Sequence, residues 1–255
     1  MNPHDHRPGD PYSLHPSDAE ERLWHKAAGV PLVELAQVSC RYGTTPALEE
    51  VSLKIWPGQF MAIVGPNGGG KTTLLRAVLG MVPVASGKVF LRGAPLSRSS
   101  LQRIGYVPQL ETIDWNFPIT VEEVIIMGFF IKKRWFGGIG ASEKRKLYDI
   151  MERLNLGGLG KRHIRELSGG QQQATFIGRA LVGDPELILL DEPASGLDIR
   201  SRDDVIHLLH EINHQGVAVV LTAHDLNWVA AHLPWAVCLN HRVIAEGRPN
   251  EIFNA

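Results

Sequence analysis

The chain of 255 residues is short of several things at once. Cysteine occurs twice, at Cys40 and Cys238, in no CxxC or zinc-like spacing; this excludes a disulfide framework and points to incidental thiols in a reducing compartment. Neither charge sign is in excess. With 26 Lys+Arg against 27 Asp+Glu the net charge is −1, so no global field draws the chain onto nucleic acid or anionic lipid. Long hydrophobic runs are missing too: Val124–Met127 and Val217–Leu221 fall far short of the roughly 18–20 residues that a membrane span needs. Met1–Asp18, rich in His, Pro and Asp, lacks the apolar core of a signal peptide. Any action on a membrane process is therefore expected to pass through a partner. What is present, 44% hydrophobic and 21% charged residues, is an ordinary globular balance that rules out wholesale disorder, collagen-like repeats and a coiled coil.

Residues 1–30 read as a polar, disordered tail broken by Pro3, Pro8, Pro11 and Pro16. From Pro31 the pattern becomes strand-like. Val51, Leu53 and Ile55 alternate with Ser52, Lys54 and Trp56, as a half-buried strand requires, and Pro57-Gly58 makes a turn. Phe60–Val64 is continuously apolar, as expected of a strand buried on both faces. Leu74, Leu75, Val78 and Leu79 then recur at helical spacing. Leu187–Leu190 and Val217–Leu221 read as further buried strands separated by helical stretches, which argues for βαβ units and a mainly parallel α/β sheet flanked by helices. Between about 110 and 174 the composition shifts to helix formers and basic residues, read as an inserted helical subdomain.

Two motifs carry the chemistry. Gly65-Pro66-Asn67-Gly68-Gly69-Gly70-Lys71-Thr72 fits GxxxxGK[ST] between a buried strand and a helix, where backbone N–H groups and the helix start can wrap a phosphate. Lys71 is expected to bridge the β- and γ-phosphates and the Thr72 hydroxyl to ligate Mg²⁺. A chance match to those four fixed positions occurs in roughly one chain of this length in a hundred, and the strand–loop–helix context lowers that further. Leu187–Leu190 delivers Asp191 and Glu192 to the carboxyl end of a strand, the ligand-carrying end of a parallel sheet. Asp191 is expected to hold Mg²⁺ and Glu192 to orient or deprotonate an attacking water.

Leu167-Ser168-Gly169-Gly170-Gln171 is far more specific, with a chance match on the order of a few in ten thousand chains. With it the chain, over about residues 31 to 248, resembles the ATP-binding cassette (ABC) ATPases. Tyr42 in Arg41-Tyr42-Gly43, Gln109 in Val107-Pro108-Gln109, Ser195-Gly196-Leu197-Asp198, and His224 in Thr222-Ala223-His224-Asp225 complete the set in the family's order. The resemblance implies a RecA-like P-loop NTPase fold over 31–255, with an antiparallel β subdomain and the helical insertion. It implies ATP and Mg²⁺ as cofactors, with Gly65 to Thr73 holding the nucleotide and Tyr42 stacking on adenine. Gln109 touches Mg²⁺ or the attacking water, and His224 contacts the γ-phosphate. Ser168, Gly169, Gly170 and Gln171, at a helix start, and Asp198 reach the nucleotide of a second copy, so that two ATP molecules are sandwiched head-to-tail in a two-fold dimer. Gly69 and Thr72 stand where alanine and serine are more usual, and both are acceptable there.

The resemblance leaves two classes, the ATPase of a membrane transporter and a soluble ABC ATPase. The interval from Gln109 to Ser168, about sixty residues, is too short for coiled-coil arms, and the single phosphate loop is unlike the tandem translation-factor type. A transporter subunit is expected, peripheral on the cytoplasmic face of the cell membrane through integral permease subunits, indirectly served by a solute-binding protein, and without nucleic acid. Ile113-Asp114-Trp115-Asn116-Phe117-Pro118-Ile119-Thr120-Val121 resembles the manganese/zinc import branch, with iron-chelate importers as the neighbouring alternative; Phe129 stands where that branch is expected to carry a basic residue. Trp115 and Phe117 either line a groove for a permease helix or pack the helical subdomain. His207, His210 and His214 read as a solvated helix face opposite Val205, Leu208, Leu209 and Ile212 rather than as a zinc site. Lys132, Lys133, Arg134, Lys144, Arg145 and Lys146 likewise read as a solvated helical face.

Overall fold

A computed structural model describes residues 29–115, 117–131 and 139–253. The expected tail, apart from Gly29 and Val30, and the basic residues Lys132, Lys133 and Arg134 lie outside them. The chain enters through β1 (Val33–Tyr42), a two-residue turn at Gly43-Thr44, and β2 (Thr45–Ile55), whose inward Val51, Leu53 and Ile55 are buried as the alternation predicts. After the Pro57-Gly58 turn comes β3 (Phe60–Val64), buried at every position, then the glycine loop and α1 (Lys71–Val78). Next follow β4 (Val84–Leu91), β5 (Ala94–Pro95), α2 (Arg98–Leu101) and β6 (Ile104–Val107). Between β6 and the next strand lie α3 (Val121–Ile126), α4 (Ala141–Arg153) and α5 (Gly169–Leu181), with short 3-10 turns. The remainder is β7 (Leu187–Leu190), α6 (Ile199–His214), β8 (Ala218–Ala223), α7 (Leu226–His232), β9 (Trp235–Asn240), β10 (Arg242–Gly247) and α8 (Pro249–Ile252).

Two sheets result. One is antiparallel, in the order β2-β1-β4-β5; the other runs β10-β9-β3-β8-β7-β6, parallel except for the β9–β10 pair. The buried strands of the second sheet send alternate residues into two separate cores, because successive side chains point to opposite faces. Phe60, Ala62, Val64, Ile188, Leu190, Val219 and Leu221 pack with α3 to α7. Met61, Ile63, Leu187, Leu189 and Val220 pack with α1 and the antiparallel sheet. This explains the lack of polar/apolar alternation in these strands: both faces are covered.

Helix starts follow local chemistry. Thr120-x-x-Glu123 forms a reciprocal capping box for α3, Asp198 caps α6 and Asp225 caps α7. Helix α6 departs from the expected solvated histidine face at one position. His207 and His214 are exposed, but His210 is half-buried: its ring meets Phe60 edge-on at 4.7 Å between centroids and its Nε2 lies 3.1 Å from the His232 carbonyl oxygen. It lies next to Leu209 and one turn from Ile206, so it borders the apolar stripe rather than opposing it. Desolvation pushes its pKa down to about 4, against the partial support of the His232 carbonyl. Strands β4, β5, β6, β9 and β10 also go unanticipated; β6 has four residues, one of them Gly105, and gives little period to read.

Candidate functional site

The glycine loop leaves β3 and passes beneath β9. A Cβ on Gly65 would lie 1.9 Å from the Leu239 carbonyl oxygen, and Gly70, at φ 94°, would drive a Cβ to 2.5 Å from the Ala47 oxygen. Only glycine fits at both places, and this shapes a loop whose backbone closes on itself through Gly69 N–H donating to Pro66 O. Lys71 opens α1 and is 6% exposed. Its Nζ donates to the carbonyl oxygens of Gly65 and Pro66, at 2.9 and 3.1 Å, and lies 4.0 Å from Glu192 Oε1. A lysine so held is a cation fixed inside the loop.

The acidic pair arrives from β7. Asp191 is 3% exposed, and its Oδ1 accepts from Thr72 Oγ1 at 3.1 Å and from Thr222 Oγ1 at 2.8 Å. Glu192, at φ 48°, turns out of the strand line. Gln109 Nε2 donates to Glu192 Oε2 at 3.4 Å, and His224 Nδ1 lies 3.9 Å from the same oxygen. Four of the expected residues thus converge on Glu192 or on Asp191 beside it: Lys71, Thr72, Gln109 and His224. Their convergence is a consequence of strand order, since β8 lies between β3 and β7 and carries His224 just past its end.

The others lie around this cluster. Tyr42 ends β1 with its ring half exposed, and the Tyr42 and Tyr106 hydroxyls lie near enough to the Arg76 guanidinium to favour its charge. For Arg76, desolvation alone would lower the pKa; the two tyrosines together outweigh it and leave it raised. Tyr106 is raised, first by burial and then by the charge of Asp191. Ser168 caps α5, its Oγ accepting from Gln171 N–H at 3.3 Å while Gln171 Oε1 accepts from Ser168 N–H at 3.1 Å. Among the described residues no hydrogen bond joins Ser168, Gly169, Gly170 or Gln171 to the Lys71 cluster. Gly169 and Gly170 instead abut Leu197 and Ser201. Asp198 accepts from Ser201 N–H at 3.0 Å and Oγ–H at 2.7 Å, which holds its carboxyl below the usual range. Trp115 is half-buried, edge-on to Phe176 at 6.4 Å, whereas Phe117 is 61% exposed.

Two features escape the sequence reading. Thr222 binds both Asp191 and the backbone of Glu192; the one signal was a lone hydroxyl in an apolar strand, two residues before His224. Ser195 Oγ donates to Glu111 Oε1 at 3.2 Å, tying the loop after Gln109 to the segment before Asp198, a pairing with no signal at 84 residues' separation.

A phosphate-wrapping loop behind a buried strand, with paired carboxylates on a strand one removed, defines a P-loop nucleoside triphosphatase. The family model for ABC transporters matches residues 48–195. The zinc transport system ATP-binding protein TroB of Treponema pallidum is 40% identical over 84% of this chain and 80% of its own length. The manganese transport system ATP-binding protein MntB of Halalkalibacterium halodurans is 36% identical over 88% of each chain. A solved ATP-binding cassette of an ABC transporter, in its ADP conformation, superposes with a TM-score of 0.78 at 27% identity over 88% of this chain and 94% of that one. The chain belongs to the ABC transporter family and is an ATPase of that family. Among the described residues no helix is long and apolar enough to cross a membrane.

Proposed function

We propose that the chain is the ATP-hydrolysing subunit of an importer for a divalent metal ion, manganese or zinc. The names of the relatives support the metal, as do Ile113–Val121. The observation that carries the hydrolytic role is the setting of Glu192, a carboxylate with Lys71, Gln109 and His224 around it and Asp191 beside it.

In this reading the Gly65–Thr73 backbone and Lys71 hold the β- and γ-phosphates, and Tyr42 stacks on adenine. Glu192 accepts a proton from a water that attacks the γ-phosphorus; the bond to the bridging oxygen breaks and ADP leaves. Gln109 orients that water and His224 holds the γ-phosphate. Thr72 and Asp191, two hard-oxygen donors 3.1 Å apart at the loop, suit Mg²⁺, which when bound neutralises charge on the phosphates. Ser168 to Gln171, with Asp198, serve the nucleotide of a second copy, giving the head-to-tail dimer. Residues 31–255 act as one ATPase domain, and the helical segment at about 110–174 passes closure to integral permease subunits at the cytoplasmic face of the membrane. A solute-binding protein acts only through those subunits. The metal ion itself is cargo and does not meet this site.

The test is Glu192→Gln, in cells and purified. It should lower turnover at least about a hundredfold, leave ATP binding intact, accumulate an ATP-held dimer by light scattering, and abolish manganese or zinc uptake. Retained turnover removes Glu192 from its role; unchanged uptake of both metals overturns the import reading.

A further inference from the structure

Strand β8 is apolar from Ala218 to Leu221, and Thr222 interrupts it while remaining 1% exposed. A valine would pack equally well there, as Val219 and Val220 do earlier in the strand. A buried hydroxyl costs desolvation unless it is bonded, and this one is bonded twice. It donates to Asp191 Oδ1 at 2.8 Å and accepts the backbone N–H of Glu192, also at 2.8 Å. The register explains the reach: Leu190 pairs with Leu221 in parallel strands, so Asp191 and Glu192 leave β7 alongside Thr222.

The two bonds meet different needs. Asp191 is a nearly enclosed carboxylate with two hydroxyl donors: Thr72, which would also help hold Mg²⁺, and Thr222 on the neighbouring strand. Glu192 sits at φ 48°, which side-chain-bearing residues rarely adopt, and the bond from its N–H to Thr222 pins that turn. The turn is what brings the Glu192 carboxylate to Lys71, Gln109 and His224.

We propose that Thr222 is a positioning residue for ATP hydrolysis: its single hydroxyl sets both carboxylates, Asp191 through the side chain and Glu192 through the backbone. This rests on the reading of Asp191 and Glu192 given above. Losing a buried hydrogen bond to a charged group corresponds to roughly ten- to a hundredfold.

The experiment compares full-length wild type, Thr222→Val and Thr222→Ser, with Asp191→Asn and Glu192→Gln as controls. ATP turnover is measured together with amide hydrogen exchange across residues 188–194 in nucleotide-free protein. Thr222→Val should lower kcat at least about tenfold, change KM for ATP less than about threefold, and speed exchange at the Glu192 amide; Thr222→Ser should restore both kcat and protection. Should the valine variant fail to fold, Thr222→Ala against Thr222→Ser makes the same comparison. A valine or alanine variant with turnover within about twofold of wild type, or a serine variant as impaired as it, overturns the proposal. Active control variants instead bring down the reading beneath it, whereas inactive controls beside an active Thr222→Val bring down this inference alone.

Discussion

Two helix starts in this molecule offer backbone N–H groups, and they are furnished very differently. The start of α1 is enclosed: Lys71 is buried, held by two carbonyls and 4.0 Å from Glu192, which accepts from Gln109, while Asp191 beside it accepts from Thr72 and Thr222. The start of α5 has its own capping box and little else; Ser168 and Gly169 are exposed beside a hollow of about 610 Å³ lined by Arg153, Arg200, Asp204 and His207 among others. The difference is between an enclosed, hydrogen-bonded cluster and an open helix start in the same chain. This is the asymmetry that a head-to-tail pair of copies would resolve, each supplying what the other lacks. Helix α6 ties the two regions together, since Ser201 in its first turn touches Gly170 of α5 while His210 near its far end packs on Phe60 of β3.

The comparison can be broken at the enclosed end most severely. Lys71→Ala should weaken ATP binding about a hundredfold in calorimetry, because a buried, pre-oriented cation is removed from the loop; unchanged affinity would end the phosphate-loop reading. Next comes the tie. His210 has its pKa depressed to about 4 in the folded chain against an ordinary value near 6.5, so the unfolded chain binds the extra proton more readily between those values. The sign follows: full stability above about pH 6.5, with on the order of 2–3 kcal/mol lost as pH falls toward 4. Urea titrations of wild type and His210→Gln across that window should show the acid limb flattened in the variant, and parallel limbs would refute the assignment. At the open end the effect is smallest. Ser168→Ala removes a cap and should cost about 1 kcal/mol in denaturation, while ATP affinity measured at a protein concentration that keeps copies apart stays at the wild-type value; a lost affinity under that dilution would mean that α5 serves its own chain's nucleotide.

How much of this was legible depended on whether the signal was local. Val51, Leu53 and Ile55 announce β2, Phe60–Val64 announces a doubly covered strand, and Ser168 with Gln171 three residues on is a helix start written in four letters. The loop around Lys71 and the pair Asp191-Glu192 were readable for the same reason, each being a motif within eight residues. Where the reading slipped, the cause was an environment rather than a pattern. His210 is polar by composition yet borders the stripe that packs on Phe60, and the helical period alone does not say how wide the covered face is. Trp115 and Phe117 look alike in sequence, but one packs on Phe176 and the other stands in solvent.

By itself the sequence determined the chemical vocabulary: a loop that only glycine can form, a lysine at its end, two carboxylates after an apolar run, a capped helix start. These are short-range facts, set by backbone sterics and side-chain chemistry over a few residues. The tertiary structure alone decided which of them meet. Because β8 inserts between β3 and β7, Thr222 and His224 come to lie among residues more than 30 and 110 positions distant, and Glu192 becomes the centre of the cluster. Strand order is a property of packed sheets and their covered faces, and no stretch of the chain carries it.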